Sequence, residues 1–131
     1  MGIIDRVGAA PGYSHAVTVT GALAFVSGQV ALDDEGNLVG PGDLAEQTRQ
    51  AMRNLEGVLA QLGATWADVV KFGWYLTDVT EIQQVRDIRD EFIRPVLGDR
   101  PNPASTLVQV AGLFSPGFLV EVEAVVALGA E

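Results

Sequence analysis

Two glutamates, Glu121 and Glu123, lie two residues apart in the run Leu119-Val120-Glu121-Val122-Glu123-Ala124-Val125. The density of β-branched residues makes this run a strand, and side chains two apart in a strand point to the same face of its sheet. That face is either wet, in which case the pair is a solvated edge, or a site. A carboxylate in a partly dry cleft can orient or deprotonate a water for attack on an electrophilic carbon. The other reactive groups are few. His15 is the single histidine, which rules out a site needing two imidazoles from one chain, and the absence of cysteine excludes disulfides, thiolate catalysis and zinc clusters of the cysteine type. Lys71 is the single lysine, but nothing near it in sequence would depress its pKa for Schiff-base chemistry, so a solvated or ion-paired side chain is expected. A serine nucleophile at Ser105 would need His15 to reach it from far upstream. Asp33-Asp34-Glu35-Gly36-Asn37 lacks the ligand pattern of a calcium loop and reads as an acidic turn.

The elements that must position these residues follow from periodicity. After a short irregular start, His15 to Thr20 and Leu23 to Ser27 are strand-like around Thr20-Gly21, which predicts a local antiparallel hairpin. Ser27-Gly28-Gln29 interrupts the second run, and a glycine there signals a bulge or a close backbone approach. Asp43 and Glu46 have capping-box spacing, and Leu44, Gln47, Ala51, Leu55, Val58 and Leu62 recur at helical spacing up to Gly63, predicting a helix of about twenty residues. Thr65 to Asp68 form a second, shorter cap. Val70, Phe72, Trp74 and Leu76 then alternate with Lys71, Gly73, Tyr75 and Thr77, the pattern of a strand. A second helix opens at Thr80-Glu81, carries Ile82, Val85, Ile88, Arg89, Phe92 and Ile93 on its apolar side and ends at Arg94-Pro95. Its arginines alternate with Asp87, Asp90 and Glu91, which reads as a charge-laced exposed surface. Two final strands, Thr106 to Val110 and Leu119 to Val125, flank Phe114-Ser115-Pro116-Gly117. The order implies an α+β fold, one mixed sheet with two helices packed on one face. The other face is expected to be apolar, with some of Thr106, Val108, Val110, Val120, Val122 and Ala124 covered only by a neighbouring copy.

Composition bounds the partners. The 131 residues fit one domain, 1–131, with no repeats, low-complexity stretches or interdomain linkers. Hydrophobic residues make up 48% and charged residues 19%, and the mean hydropathy of +0.25 points to further burial in an oligomer. Eight basic against seventeen acidic residues give a net charge of −9, whose field repels phosphate backbones, so no nucleic-acid partner is expected. Nor is a membrane partner, because there is no apolar span. The N-terminal residues lack the charged start and apolar core of a signal peptide, and Arg6 stands where a myristoylation signal after Gly2 needs serine or threonine. A cytoplasmic location is the expectation.

Five segments taken together, Pro11 to Val17, Val26-Ser27-Gly28-Gln29, Gln47 to Leu55, Gly63-Ala64 with Asp68 to Lys71, and Val120 to Ala124, resemble the Rid (reactive intermediate deaminase) family, also called YjgF-like or L-PSP endoribonuclease. The match runs in order across nearly the whole chain. The resemblance implies a chorismate-mutase-like fold and a homotrimer, with helices outside a central barrel and a cleft between each pair of subunits. It also implies hydrolysis of 2-imino acids or their enamine tautomers to 2-oxo acids and ammonia, with no cofactor and no metal. By position, Tyr13 matches a tyrosine lining the cleft, Ser27 and Gly28 match its Ser-Gly-Gln segment, and Glu121 matches the carboxylate that positions water.

The chain departs from the family at Pro103-Ala104-Ser105-Thr106. In the active deaminases this segment reads Pro-Ala-Arg-Ser, and its arginine grips the substrate carboxylate with two parallel hydrogen bonds. Here Ser105 takes the arginine's place, followed by Thr106, while Leu107 replaces a small or sulfur-bearing residue and Arg86 the usual asparagine of the second helix. A serine cannot supply the guanidinium's charge, so the expected substrate is an imine, an enamine or a related activated C–N compound whose carboxylate is absent or held elsewhere, rather than a standard 2-imino acid. Arg86, reaching in from the helix, and Arg100, folding back, are the two arginines that could take over. Counted as substrate-binding candidates are Tyr13, Ser27, Gly28, Arg86, Ser105, Thr106 and Leu107, with Glu121 as the catalytic one. The alternative is a non-catalytic trimer that binds a small ligand. The endoribonuclease activity in the family's other name conflicts with the acidic charge and the missing basic patch.

Overall fold

The computed structural model describes residues 4–129, so Gly2 lies outside it. In chain order the elements are β1 (Ile4–Ala10), β2 (Tyr13–Val19), β3 (Leu23–Gln29), α1 (Leu44–Gln61), a 3₁₀ turn (Trp66–Asp68), β4 (Val69–Leu76), α2 (Ile82–Leu97), β5 (Ala104–Gln109) and β6 (Val120–Ala127). Four strands form a mixed sheet in the order β3-β6-β4-β5, in which only the β4–β5 pairing is parallel. This is the α+β, chorismate-mutase-like architecture expected, with α1 and α2 on one face.

The alternation in β4 and β6 places the core. Phe72, Trp74 and Leu76 of β4 and Val120, Val122, Ala124 and Val126 of β6 are buried against Met52, Leu55 and Leu59 of α1 and Val85 and Ile93 of α2. The expectation that Val120, Val122 and Ala124 wait for a neighbouring copy is therefore corrected, because the chain's own helices cover them. The opposite face carries Leu23 and Phe25 of β3, Lys71 and Tyr75 of β4, Val108 of β5, and Glu121, Glu123 and Val125 of β6. It is mixed rather than apolar, and Phe25, at 76% exposure, is its largest open apolar side chain.

The first hairpin also differs from expectation. β2 pairs with β1, in the register Ile4↔Val19 to Ala10↔Tyr13, and β3 instead joins β6. Sequence proximity loses to burial here. β3 has an apolar stripe to add to the core, whereas β2 leaves His15, Ala16 and Thr18 exposed. β1 was hidden by Asp5, Arg6 and Gly8, which interrupt the apolar alternation. Gly8, at φ +73°, lies where a Cβ would come within 2.9 Å of the His15 ring.

Helix α1 starts on Asp43, whose carboxylate accepts from the Glu46 N–H at 3.0 Å. The Asp43 N–H donates to the Gly40 carbonyl rather than to Glu46, so only half of the expected capping box forms. Gln47 lies in the apolar phase of α1 but serves as a polar tie. Its Nε2 donates to the carbonyls of Gly40 and Gly117, and its Oε1 accepts from the Leu119 N–H at 2.8 Å. Helix α2 runs past Pro95 to Leu97, longer than predicted. Arg94 and Arg100 supply the closure: Arg94 donates to the Gly98 and Arg100 carbonyls, and Arg100 to those of Val96 and Leu97.

Candidate functional site

Glu121 lies on the open face of the sheet, where its β4 neighbour is Tyr75. The pairing of β3 with β6 shifts register between Val26 and Gln29, the bulge predicted at Ser27-Gly28. Its function is visible at Gly28, where a Cβ would overlap the Glu121 carboxylate, 1.8 Å from Oε2. A side chain other than hydrogen at position 28 would displace that carboxylate. Removal from water, and secondarily the charge of Glu123, push the Glu121 pKa above the ordinary glutamate value of 4.5. Among the described residues no donor reaches Glu121 and no cation pairs with it. Glu123 is engaged, accepting from the Tyr75 hydroxyl at 2.8 Å, and that bond, with burial and the acidic neighbours, raises the Tyr75 pKa. The two carboxylates that sequence spacing could not tell apart are thus distinct: Glu123 is a hydrogen-bonded partner and Glu121 is unshared.

The remaining candidates divide between the two faces. Thr106 shares the open face with Glu121. Tyr13, Arg86, Ser105 and Leu107 converge on the helix side, where with Pro11, Gly12, Trp74, Ile82, Val85 and Arg89 they line a cleft of about 250 Å³. Registers explain the split, since Ser105 and Leu107 stand beside Phe72 and Trp74, the core-facing residues of β4. In one chain, therefore, the sheet lies between Glu121 and the cleft. Of the two arginines offered as replacements, Arg86 lines the cleft, whereas the guanidinium of Arg100 is spent on the end of α2.

Arg89 is a cleft residue to which the sequence reading gave no site role. Its position on the apolar side of α2 and its place in the charge-laced run point opposite ways, and burial decides: it is only 8% exposed. The signal for the cleft is its place in the apolar phase of α2, between Val85 and Phe92. Its Nε donates to Asp90 at 3.0 Å. Its two Nη groups face the β1–β2 turn, where a Cβ on Gly12 would be 3.3 and 3.4 Å from them. Asn102 holds that turn in place by donating to the Gly12 carbonyl at 3.0 Å while accepting from Arg94. Ser14 fastens the other side of the turn, its hydroxyl donating to the Asn102 carbonyl and its N–H to that of Pro103. Among the described residues no cluster of histidine, cysteine and carboxylate side chains could hold a metal ion. Among the described residues no helix is long and apolar enough to cross a membrane.

Comparison with known proteins agrees with this architecture. The family model described as endoribonuclease L-PSP matches residues 3–128. The 2-iminobutanoate/2-iminopropanoate deaminase of Rattus norvegicus is 33% identical over 117 residues, 89% of this chain and 80% of that protein. The human protein of the same name is 31% identical over 122 residues, 93% of this chain and 84% of its own. Among solved structures, a protein of unknown function of the conserved Rid family from Yersinia pestis superposes with a TM-score of 0.78 at 36% identity, covering 89% of this chain and 87% of its own. RidA from an Antarctic Psychrobacter gives 0.72 at 29% identity, covering 96% and 98%. With a family model spanning nearly its full length and relatives of this identity and coverage, the chain belongs to the Rid, or YjgF-like, family of L-PSP proteins.

Proposed function

We propose that the protein is an imine or enamine hydrolase that works in a cleft between copies of the chain in a homotrimer. The observation that carries the reading is Glu121: a carboxylate seated against the bare backbone of Gly28, without a protein partner among the described residues and with a raised pKa. This state suits a general base, which must exist as the carboxylate near neutral pH yet retain affinity for a proton. Glu121 takes a proton from water as the oxygen adds to the imine carbon and returns it to nitrogen, giving a carbinolamine; the carbinol O–H proton then passes through Glu121 to nitrogen as the C=O bond forms and the C–N bond breaks. Ammonia and a carbonyl compound leave. Several relatives carry the name 2-iminobutanoate/2-iminopropanoate deaminase, which supports this reaction class.

Assembly answers the separation of Glu121 from the cleft within one chain. Apposing the open sheet face of one copy to a neighbour's helix-side cleft gives each site Glu121, Ser27, Gly28 and Thr106 from one subunit, with Tyr13, Arg86, Ser105 and Leu107 from the other. The partner is a small molecule and the chemistry is assigned to side chains without metal or cofactor; the compartment proposed is the cytoplasm.

The test is ammonia release from freshly generated 2-iminopropanoate and 2-iminobutanoate and from imines without a carboxylate, comparing the native protein with Glu121→Gln. Turnover of any of these substrates that falls by about 10²–10⁴-fold in the variant supports the proposal. Equal rates in both proteins remove Glu121 from the mechanism. A native protein inert toward all of them favours the non-catalytic ligand-binding trimer, the reading that Ser105 in place of arginine supports.

A further inference from the structure

The cleft contains more positive charge than its family resemblance implies, and that charge comes from a different element. Arg86 and Arg89 stand three apart on α2, so they lie on one face of the helix, and both line the cleft. Arg89 is nine-tenths buried, and Asp90 engages only its Nε. Among the described residues neither Nη group donates to a protein acceptor. The Arg89 Nη groups are not among the sealed, partnerless nitrogens of the described residues, so their free donors reach the cleft and are available to an anion there. Gly12, at φ +86°, permits the turn to approach these nitrogens without a side chain between. Ser105 lines the same cleft with a short hydroxyl where the family's arginine would project.

We propose that Arg89 is the anion anchor of this protein. It would receive a small carboxylate from the α2 side of the cleft on its two Nη groups, with Arg86 adding charge at the mouth and Ser105 leaving the room that the ligand needs. The ligand class is a short-chain carboxylate bearing a carbonyl or imine carbon. The anchor has moved from the edge strand to the helix, and a ligand held there sits with its carboxylate turned toward α2. Only the identity of the reacting group rests on the hydrolase reading; the anion site itself stands on the geometry of the cleft.

The test is a titration followed by NMR at the Trp74 indole and the Gly12 amide, using 2-oxobutanoate, 2-butanone as its uncharged counterpart, and inorganic phosphate. The native protein is expected to bind 2-oxobutanoate and to prefer it to both other probes. Arg89→Gln should weaken that binding by about ten- to a hundredfold, the effect of losing a charge-assisted pair. Arg89→Lys should lose part of it, because an ammonium keeps the charge but not the planar fork. If Arg89→Gln does not fold, Arg89→Lys decides alone. Undiminished binding in a folded Arg89 variant, no binding by the native protein, equal binding of 2-butanone, or a preference for phosphate would each overturn the proposal. Since the titration involves no turnover, carboxylate binding without ammonia release would sink the hydrolase reading and leave the anchor standing. Ammonia release with binding indifferent to Arg89 would do the reverse.

Discussion

At the scale of single residues, the open sheet face keeps a carboxylate in a state that costs stability. Glu121 has a raised pKa, so the folded chain holds its proton more tightly than the unfolded chain does. Its contribution to stability is full below the ordinary value of 4.5 and declines as pH rises through the window between that value and the folded one. Glu121→Gln, neutral at every pH, should therefore be at least as stable as the native protein at neutral pH while inactive, and the advantage should vanish below about pH 4. Thermal melts at several pH values check the sign. The rate of the native protein should rise with pH as Glu121 ionises, with a midpoint above the ordinary glutamate value. Gly28 tests the same geometry from the other strand. Gly28→Ala must push the carboxylate aside, and a displacement on the order of 1 Å is enough to cost about a hundredfold in rate. The obstructing atoms belong to a side chain that can swing away, so melting should change little. Combining Gly28→Ala with Glu121→Ala should add no further loss of rate.

At the scale of elements, polar side chains in apolar positions connect helices to loops. Gln47 satisfies three backbone groups, from Gly40, Gly117 and Leu119, and so joins the entrance of α1 to the start of β6, the strand that carries Glu121. Gln47→Leu preserves bulk and helix propensity but strands those groups, and should cost about 2–4 kcal/mol in denaturant unfolding. Asn54 does similar work, donating to the carbonyls of Val30 and Leu32 and thereby tying the segment after the β3 bulge to α1. The Arg49–Glu91 pair between α1 and α2 raises the arginine's pKa and lowers the glutamate's, but both side chains are in water, where such pairs contribute little.

At the scale of the whole molecule, Phe25, Leu23 and Val108 are exposed around Lys71 and Glu123 on a sheet face that no helix covers. The proposed trimer makes this face an interface. Light scattering should accordingly give three times the chain mass of 13.8 kDa. Phe25→Glu, which puts a carboxylate near Glu123 and Lys71 on this face, should yield a folded species of lower mass with ammonia release lost, because each proposed cleft then lacks its neighbour. A native monomer that retains activity would remove the shared cleft. With a net charge of −9 over the chain, the two arginines of the cleft are a local exception to the overall field.

Periodicity and turn chemistry were enough to place both helices, the cap at Thr65 to Asp68, the bulge at Gly28 and the two faces of β4, because each depends on neighbours a few residues away. The motif segments likewise identified the family, and position in them singled out Glu121 and Ser105 as the residues on which the proposed chemistry turns. What tertiary structure decided depends on contacts between distant segments. It paired β3 with β6 rather than with β2, since only β3 brings an apolar stripe to the core, and it covered Val120, Val122 and Ala124 with the chain's own helices. It separated Glu121 from Glu123 by giving the Tyr75 hydroxyl to one of them. Above all it buried Arg89: helical spacing put that arginine in the apolar phase, but only the turn at Gly12, held by Asn102 ninety residues away, makes its guanidinium the floor of a cleft instead of a surface charge.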